Sequence, residues 1–402
     1  MARTDTLGNF LTDVAIAIRN KKGTTDTIVA SNFDTEIESI ETGGGTTEPI
    51  FTGHYDTEGL RQIGWTDEEI EYYQQNGVQW NSSEDEYFKL TQIELAGDDS
   101  KNTRFIPKNS TKTSFANYYK LLAIPQLDTS NVTTMEGMFS HCYSLTMMPQ
   151  LDTGNVTSMN NMFYDCYSLT TIPQLNTGNV TNMHKMFYDC YSLKTIPQLD
   201  TSNVTNMNNT FNGCYSLKTI PQLDTGNVTN MDNMFSSCRS LTTIPQLNTG
   251  NVTNMNNTFA SCSSLKTVPQ LNTSNVTSIA GMFASCSSLE TVPQLDTSNV
   301  TSIVNMFVNC SSLKTLGGLL NLGQAYKTTT SANSYSYKVD LSGSPKLTEQ
   351  SLINILNNLY DIATKGCKTQ QVILGSTNLA KLTSEEGQQA LSNAQAKGWT
   401  VS

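Results

Sequence analysis

Eight of the nine cysteines recur at one interval. Cys142, Cys166, Cys190, Cys214, Cys238, Cys262, Cys286 and Cys310 stand 24 residues apart, and only Cys367 lies outside the series. Disulfide and metal chemistry both need such residues to converge. Side chains at one place in stacked repeats project the same way, about 5 Å apart, which suits a bridge poorly. A metal needs several ligands from one layer, and each repeat offers one cysteine. The reading left is a small buried hydrophobe that fills a turn. Of three histidines, His54, His141 and His184, the latter two occupy different places in the repeat. A further position alternates between Asp128, Asp152, Asp200, Asp224 and Asp296 on one hand and Asn176, Asn248 and Asn272 on the other. A catalytic carboxylate is not needed eight times and does not tolerate Asn, so paired-acid hydrolysis is not expected. Neighbouring carboxylates about 5 Å apart repel by only about 1 kcal/mol in water, so the row suits a wet edge. Calcium bridging of that row is the alternative. No phosphate loop or nucleophile motif occurs. The expectation is a protein without catalytic residues, metal or cofactor.

What positions these residues is the repeat itself. Proline recurs at 125, 149, 173, 197, 221, 245, 269 and 293, again every 24 residues. A fixed period of this length means a solenoid whose units stack on their neighbours. Eight rungs at roughly 4.8 Å each make a rod about 40 Å long. Within a unit Val204, Met207, Phe211, Cys214 and Leu217 recur at three or four, which predicts a helical or 3₁₀ arc with one buried face. Ile196 and Leu199 predict a short strand, and Pro197, lacking an N–H, should break its pairing. In return its fixed φ lowers the entropy of the unfolded chain. Asn131 and its equivalents to Asn299 hold one turn position, where stacked amides can bond the next rung and each other. Each opens an N-x-Thr triplet, but buried turn amides are poor glycosylation acceptors.

Composition narrows the classes. Net charge is −11 with only 15% charged residues. An acidic chain of this kind is not expected to bind nucleic acid or an anionic membrane without specificity. Val14 to Ile18 is the longest apolar run near the N-terminus, too short for a signal core, and its basic residues follow it. No run approaches the roughly 20 apolar residues of a membrane span, so no membrane insertion is expected.

The unit "LDTSNVTNMNNTFNGCYSL" (Leu199 to Leu217) resembles the leucine-rich repeat of BspA-like surface proteins. That resemblance covers 121–320. It implies an α/β leucine-rich-repeat-like solenoid and a role in adhesion, on a bacterial surface or a phage virion. Secreted relatives carry export signals, and none is expected here. "LGNFLTDVAIAIRNKKGTTDTIVASNFDTEIESI" (Leu7 to Ile40) and "GWTDEEIEYYQQNGVQWNSSEDEYFKL" (Gly64 to Leu90) are similar to segments of tail and minor structural proteins of phages infecting Firmicutes.

Four regions are predicted. Residues 1–45 form a helical docking segment, with Phe10, Leu11, Val14 and Ile18 on one stripe that needs a partner. Residues 46–120 form a small linking domain containing Trp65, Tyr72, Tyr73, Trp80, Tyr87 and Phe88, read as core or, alternatively, as a carbohydrate site. There Thr66 and Glu69 make a capping box for a helix through Gln74. The solenoid spans 121–320. Residues 321–402 form a capping region with strands at 338–344, 370–376 and 398–402 and two helices between them. Positions that vary between repeats mark where a ligand could bind. Tyr143, Tyr167, Tyr191 and Tyr215 form a strip in the first four rungs, with Tyr164 and Tyr188 beside it. Rows of Tyr suit sugar stacking or a protein partner. The alternative is lateral stacking after repeat duplication.

The reading is a noncatalytic phage tail protein, made in the host cytoplasm, docked on other virion proteins. Its solenoid contacts a host-surface glycan or protein. By analogy with tail fibres it would be a trimer. A BspA-like cell-surface adhesin and a purely scaffolding virion protein are the alternatives.

Overall fold

Each repeat folds as a chain of turns rather than as a helix. In the unit that starts at Pro197, the N–H groups of Val204, Thr210, Cys214 and Leu217 donate to the carbonyls of Thr201, Met207, Phe211 and Cys214, three residues back. This is 3₁₀-type bonding, as the apolar spacing predicts. It does not propagate, because two residues per rung are left-handed. Here they are Asn209 (φ 58°) and Gly213 (φ 76°), and the series Asn161, Lys185, Asn233, Asn257 and Asp165, Asp189, Ser237, Ser261 repeats them. A left-handed residue stops a right-handed helix. The expected arc is therefore a set of separate turns, with Val204, Met207, Phe211, Cys214 and Leu217 all buried.

The computed structural model describes residues 54–55, 57–75, 87–88, 105, 114–326, 338–365 and 369–402. The chain divides into two units, Met1–Tyr55 with Gln74–Phe88, and Asp56–Tyr73 with Lys89–Ser402. In the first, β1 (His54–Tyr55) pairs in parallel with β2 (Tyr87–Phe88). Phe10, Leu11, Val14, Ile18 and Trp80 lie outside the described residues.

In the second unit, neighbouring rungs exchange backbone bonds. Thr205 N donates to Thr181 O of the rung before, and Phe211 N to Met234 O of the rung after, at 3.0 and 2.9 Å. Single-residue parallel bridges run through Thr134, Ser158, Asn182, Asn206, Asn230, Asn254, Ser278 and Ser302. The strand expected around Ile196 and Leu199 does not form. Extended pairs occur only in the last rungs: β3 (Thr291–Val292) with β5 (Thr315–Leu316), and β4 (Leu295–Asp296) with β6 (Leu319–Leu320). The reason is proline. Gly317 stands where earlier units have Pro, and its N–H donates to Val292 O at 3.0 Å. Pro293 still separates β3 from β4.

The stack also starts before residue 121. Phe115 stacks on Phe139 at 5.7 Å and Tyr119 on Tyr143 at 5.0 Å. Asn117 is left-handed at φ 68°, as the residue before each Cys is. Tyr118 thus takes the cysteine place of a half-rung. Ahead of it come α1 (Thr57–Gln62) and α2 (Asp67–Gln75). The predicted capping box is present: Thr66 N donates to Glu69 Oε2 at 2.8 Å, and Glu69 N to Thr66 Oγ1 at 3.3 Å. Trp65 and Tyr73 are buried, with Trp65 edge-on to Phe105. The Tyr73 hydroxyl donates to Ile124 O at 2.6 Å, so burial and this bond give these rings a packing role.

At the other end β7 (Lys338–Asp340), β8 (Gln370–Ile373) and β9 (Trp399–Val401) form a parallel sheet. They alternate with α3 (Glu349–Asn357), α4 (Ser376–Leu379) and α5 (Glu385–Ala396). Thr348 and Ser384 cap α3 and α5 through their side-chain oxygens. The Ser351 hydroxyl accepts from Leu316 N at 3.2 Å, which ties α3 to β5. One cluster of buried side chains runs from Phe115 to Trp399.

Candidate functional site

Two surfaces of the solenoid carry repeated polar or aromatic chemistry. The first is the tyrosine strip. Tyr119, Tyr143, Tyr167, Tyr191 and Tyr215 stack in one column, with centroids 4.6–5.0 Å apart and planes within 17°. Arg239 closes the far end, its guanidinium 4.5 Å from the Tyr215 ring centre. Tyr164 and Tyr188 stack beside it at 4.9 Å, with the Lys185 ammonium 5.5 Å from both rings. A sugar platform needs an open ring face, and here the faces cover one another. The ring edges remain. Some hydroxyls are engaged: Tyr167 bonds Asp165, and Tyr191 bonds Asp189. Burial pushes the Tyr143 phenol up to about 12. The rings of this strip stack laterally on one another.

The second surface is built largely from positions that do not change between repeats. The Pro-Gln-Leu-Asp/Asn-Thr segments line an open groove of about 2010 Å³, reaching from Gln126 to Leu320. Leu151 and its equivalents form its floor and are buried. The Thr hydroxyls beneath donate to the next rung's carbonyl at 2.7–2.9 Å, as Thr201 does to Asp224 O. Along one wall runs a glutamine row. Each of Gln150, Gln174, Gln198, Gln222, Gln246 and Gln270 donates from Nε2 twice. One bond goes to the following Leu carbonyl at 3.0–3.1 Å and one to the next rung's Gln carbonyl at 2.5–2.8 Å. These side-chain bonds stand in for the strand ladder that Pro interrupts. The visible signal was an invariant Gln after every Pro from 125 to 293.

The Asp/Asn position edges the same groove, and the structure explains its indifference to charge. Oδ1 accepts from the N–H two residues on, at 3.0 Å in Asp200 and 3.2 Å in Asn248. Either side chain supplies that oxygen. The Ser130 and Ser202 hydroxyls, then their N–H groups, hold the Asp128 and Asp200 carboxyls below their usual range. Asn155 and its equivalents are exposed, not buried as expected. Their Nδ2 atoms donate to the preceding rung's backbone at 2.7–2.8 Å.

The eight column cysteines are free and buried, each Sγ donating to a Phe carbonyl 27 residues before, such as Cys166 to Phe139 at 3.1 Å. Among the described residues no cluster of three or more His, Cys, Asp or Glu could hold a metal.

A family model described as "Mycoplasma protein of unknown function, DUF285" matches residues 109–222, 192–267 and 210–317, together just over half of the chain. The chain belongs to this family. The match falls on the stacked repeats and takes in the half-rung at Phe115. No curated protein matches the chain. Among solved structures, a leucine-rich repeat protein from Eubacterium ventriosum is similar at 17% identity and a TM-score of 0.32, over 65% of this chain and 87% of that one. Another from Bacteroides ovatus is similar at 16% and 0.27, over 67% and 76%. The functional domain of InlJ from Listeria monocytogenes, which includes a cysteine ladder, is similar at 14% and 0.26, over 71% and 61%. At identities and scores this low, the likenesses bear on nothing that this chain binds.

Proposed function

We propose that this DUF285 protein is a noncatalytic binding arm whose groove takes an extended partner. The groove carries the reading. Its volume of about 2010 Å³ is above the roughly 300–1,000 Å³ of small-molecule sites, and it is open along its length. A uniform row of polar groups repeated at every rung suits a polymer better than one substrate. The eight rungs act as the rigid arm, and the C-terminal sheet and helices close its end.

The arm belongs on a phage virion, in the tail. Support comes from the likeness of Leu7 to Ile40 and Gly64 to Leu90 to phage structural proteins, with Phe10, Leu11, Val14 and Ile18 docking on other virion proteins. The partner is then a host-surface glycan or protein. A second reading, a bacterial cell-surface adhesin, is favoured by the repeats, which resemble BspA-like proteins and carry nothing particular to a virion.

Immunogold labelling of phage particles and of intact cells of the encoding strain tests the location. Gold at tail ends supports the virion. Gold on the cell wall with bare particles overturns it in favour of the adhesin. Binding of the labelled full chain to host cells tests the groove. The paired variant Gln198→Leu/Gln222→Leu should bind at least tenfold more weakly. Unchanged binding by a folded variant sinks the groove as the contact surface.

A further inference from the structure

The groove displays acceptors, and this restricts what can occupy it. Both amide protons of Gln150, Gln174, Gln198, Gln222, Gln246 and Gln270 are committed to backbone carbonyls. Two carbonyl partners also fix the amide orientation, so the Nε2 and Oε1 positions are not interchangeable. The Oε1 atoms are the groups left over for a ligand, one per rung, on exposed side chains. The Thr hydroxyls are buried with their protons engaged by backbone carbonyls. Asp152, Asp200, Asp224 and Asp296 add carboxylates along the edge, and the lining includes no Lys, Arg or His. Side-chain donors are few there: the Asn176, Asn248 and Asn272 amides and the Ser202 and Ser274 hydroxyls, of which Ser202 and Ser274 already bond Asp200 and Asn272.

We infer that the groove selects a linear, uncharged, hydroxyl-rich glycan and rejects polyanions. This rests on the groove being the contact surface. A row of acceptors, one on each rung, needs a ligand with a donor at each rung. Sugar hydroxyls supply donors at that density without bringing charge. A phosphate- or carboxylate-bearing polymer would meet acceptors and carboxylates with no cation to pair it, and like charges brought together in a groove cost affinity. A polycation would be drawn to the four carboxylates, but the six amide oxygens, which outnumber them, carry no net charge.

The test titrates the full chain by calorimetry against three probe sets. The neutral set is glucan, mannan and galactan oligomers of increasing length. The anionic probe is polygalacturonate and the cationic probe poly-lysine. Saturable binding of a neutral oligomer is expected, strengthening with length until the groove is spanned, with no polygalacturonate binding. The Gln198→Leu/Gln222→Leu variant should lose tenfold or more. Should that variant melt early, Asp152→Asn/Asp200→Asn/Asp224→Asn retains the turn bonds that Asn176, Asn248 and Asn272 already make. It should admit polygalacturonate, which the parent excludes; a folded variant that still excludes it overturns the inference. Binding of poly-lysine alone, abolished by the Asp variants, overturns the glycan inference and leaves the groove reading standing. Neutral-glycan binding indifferent to folded Gln variants, or no neutral binding across the set, also overturns it.

Discussion

The Asp189 carboxyl lies over the Cα of Gly213 one rung on, where a β-carbon at 213 would overlap Asp189 Oδ1. Both residues are left-handed, and both precede a cysteine of the column. Elsewhere that place accepts His141, Asp165, Ser237, Ser261 and Ser285, all with positive φ. The backbone therefore does not by itself demand glycine at 213; the neighbouring carboxyl does. Gly213→Ala should cost about 2–4 kcal/mol, of which the left-handed conformation accounts for about 1–2. Pairing it with Asp189→Ser removes the overlap and should return most of the remainder. Urea titration of the two variants checks this; equal loss in both means the carboxyl is not the obstacle.

The same carboxyl gives the solenoid a pH dependence. Burial, then the charge of Asp165, push Asp189 up to about 7, opposed by the bond from the Tyr191 hydroxyl. In the unfolded chain it titrates near 3.8. Between these values the folded state holds a proton that the unfolded chain has released. Stability then falls as pH rises from about 4 to about 7 and levels off above. The span corresponds to on the order of 2–4 kcal/mol. Asp189→Asn has no proton to lose. Melting temperatures at pH 5 and pH 8 should drop in the parent and drop less in the variant. A drop of the same size in both would assign it to another group.

Proline has opposite effects at two equivalent places. Pro197→Ala should cost only about 0.4–1 kcal/mol, because the proline acts mainly by restricting the unfolded chain. Gly317→Pro would restore the repeat consensus and should nonetheless destabilise by about 3 kcal/mol or more. It removes the Gly317 N–H donor to Val292 O. It also places ring atoms where even a β-carbon would come within 2.5 Å of Gln294 N. Thermal unfolding of both decides, and a stabilised Gly317→Pro would show that β5 does not depend on that bond.

The period, the buried positions and the C-terminal alternation of strand and helix were legible because each leaves a mark at fixed spacing. The capping box at Thr66 and Glu69 was legible for the same reason. What escaped was the conformation of the arc and the exposure of the Asn155 row. Spacings of three and four read as a helical arc, and only the Asn, Asp and Gly residues at the left-handed places say otherwise. The half-rung at Phe115 escaped because Tyr118 replaces the marker cysteine. The groove left no such mark, because its glutamines do not vary between rungs, being scaffold through Nε2 and surface through Oε1. The tyrosines vary between rungs, yet their faces are spent on one another.

The cysteine column should be chemically silent in the folded protein. A thiol reacts as the thiolate, and burial raises all eight, Cys310 to about 12. Each Sγ also donates to a Phe carbonyl, as Cys286 does to Phe259 O at 2.9 Å, and all eight side chains are buried from solvent. Alkylation at pH 8 should therefore leave Cys142 through Cys310 unmodified over hours and modify them all once denaturant is added. Peptide mapping separates them from Cys367, which lies outside the described residues. Labelling that begins at Cys310 and moves inward would report opening from the C-terminal end, as expected of a stack whose rungs hold only their neighbours. Rapid labelling of central cysteines such as Cys214 in native buffer would contradict the buried column.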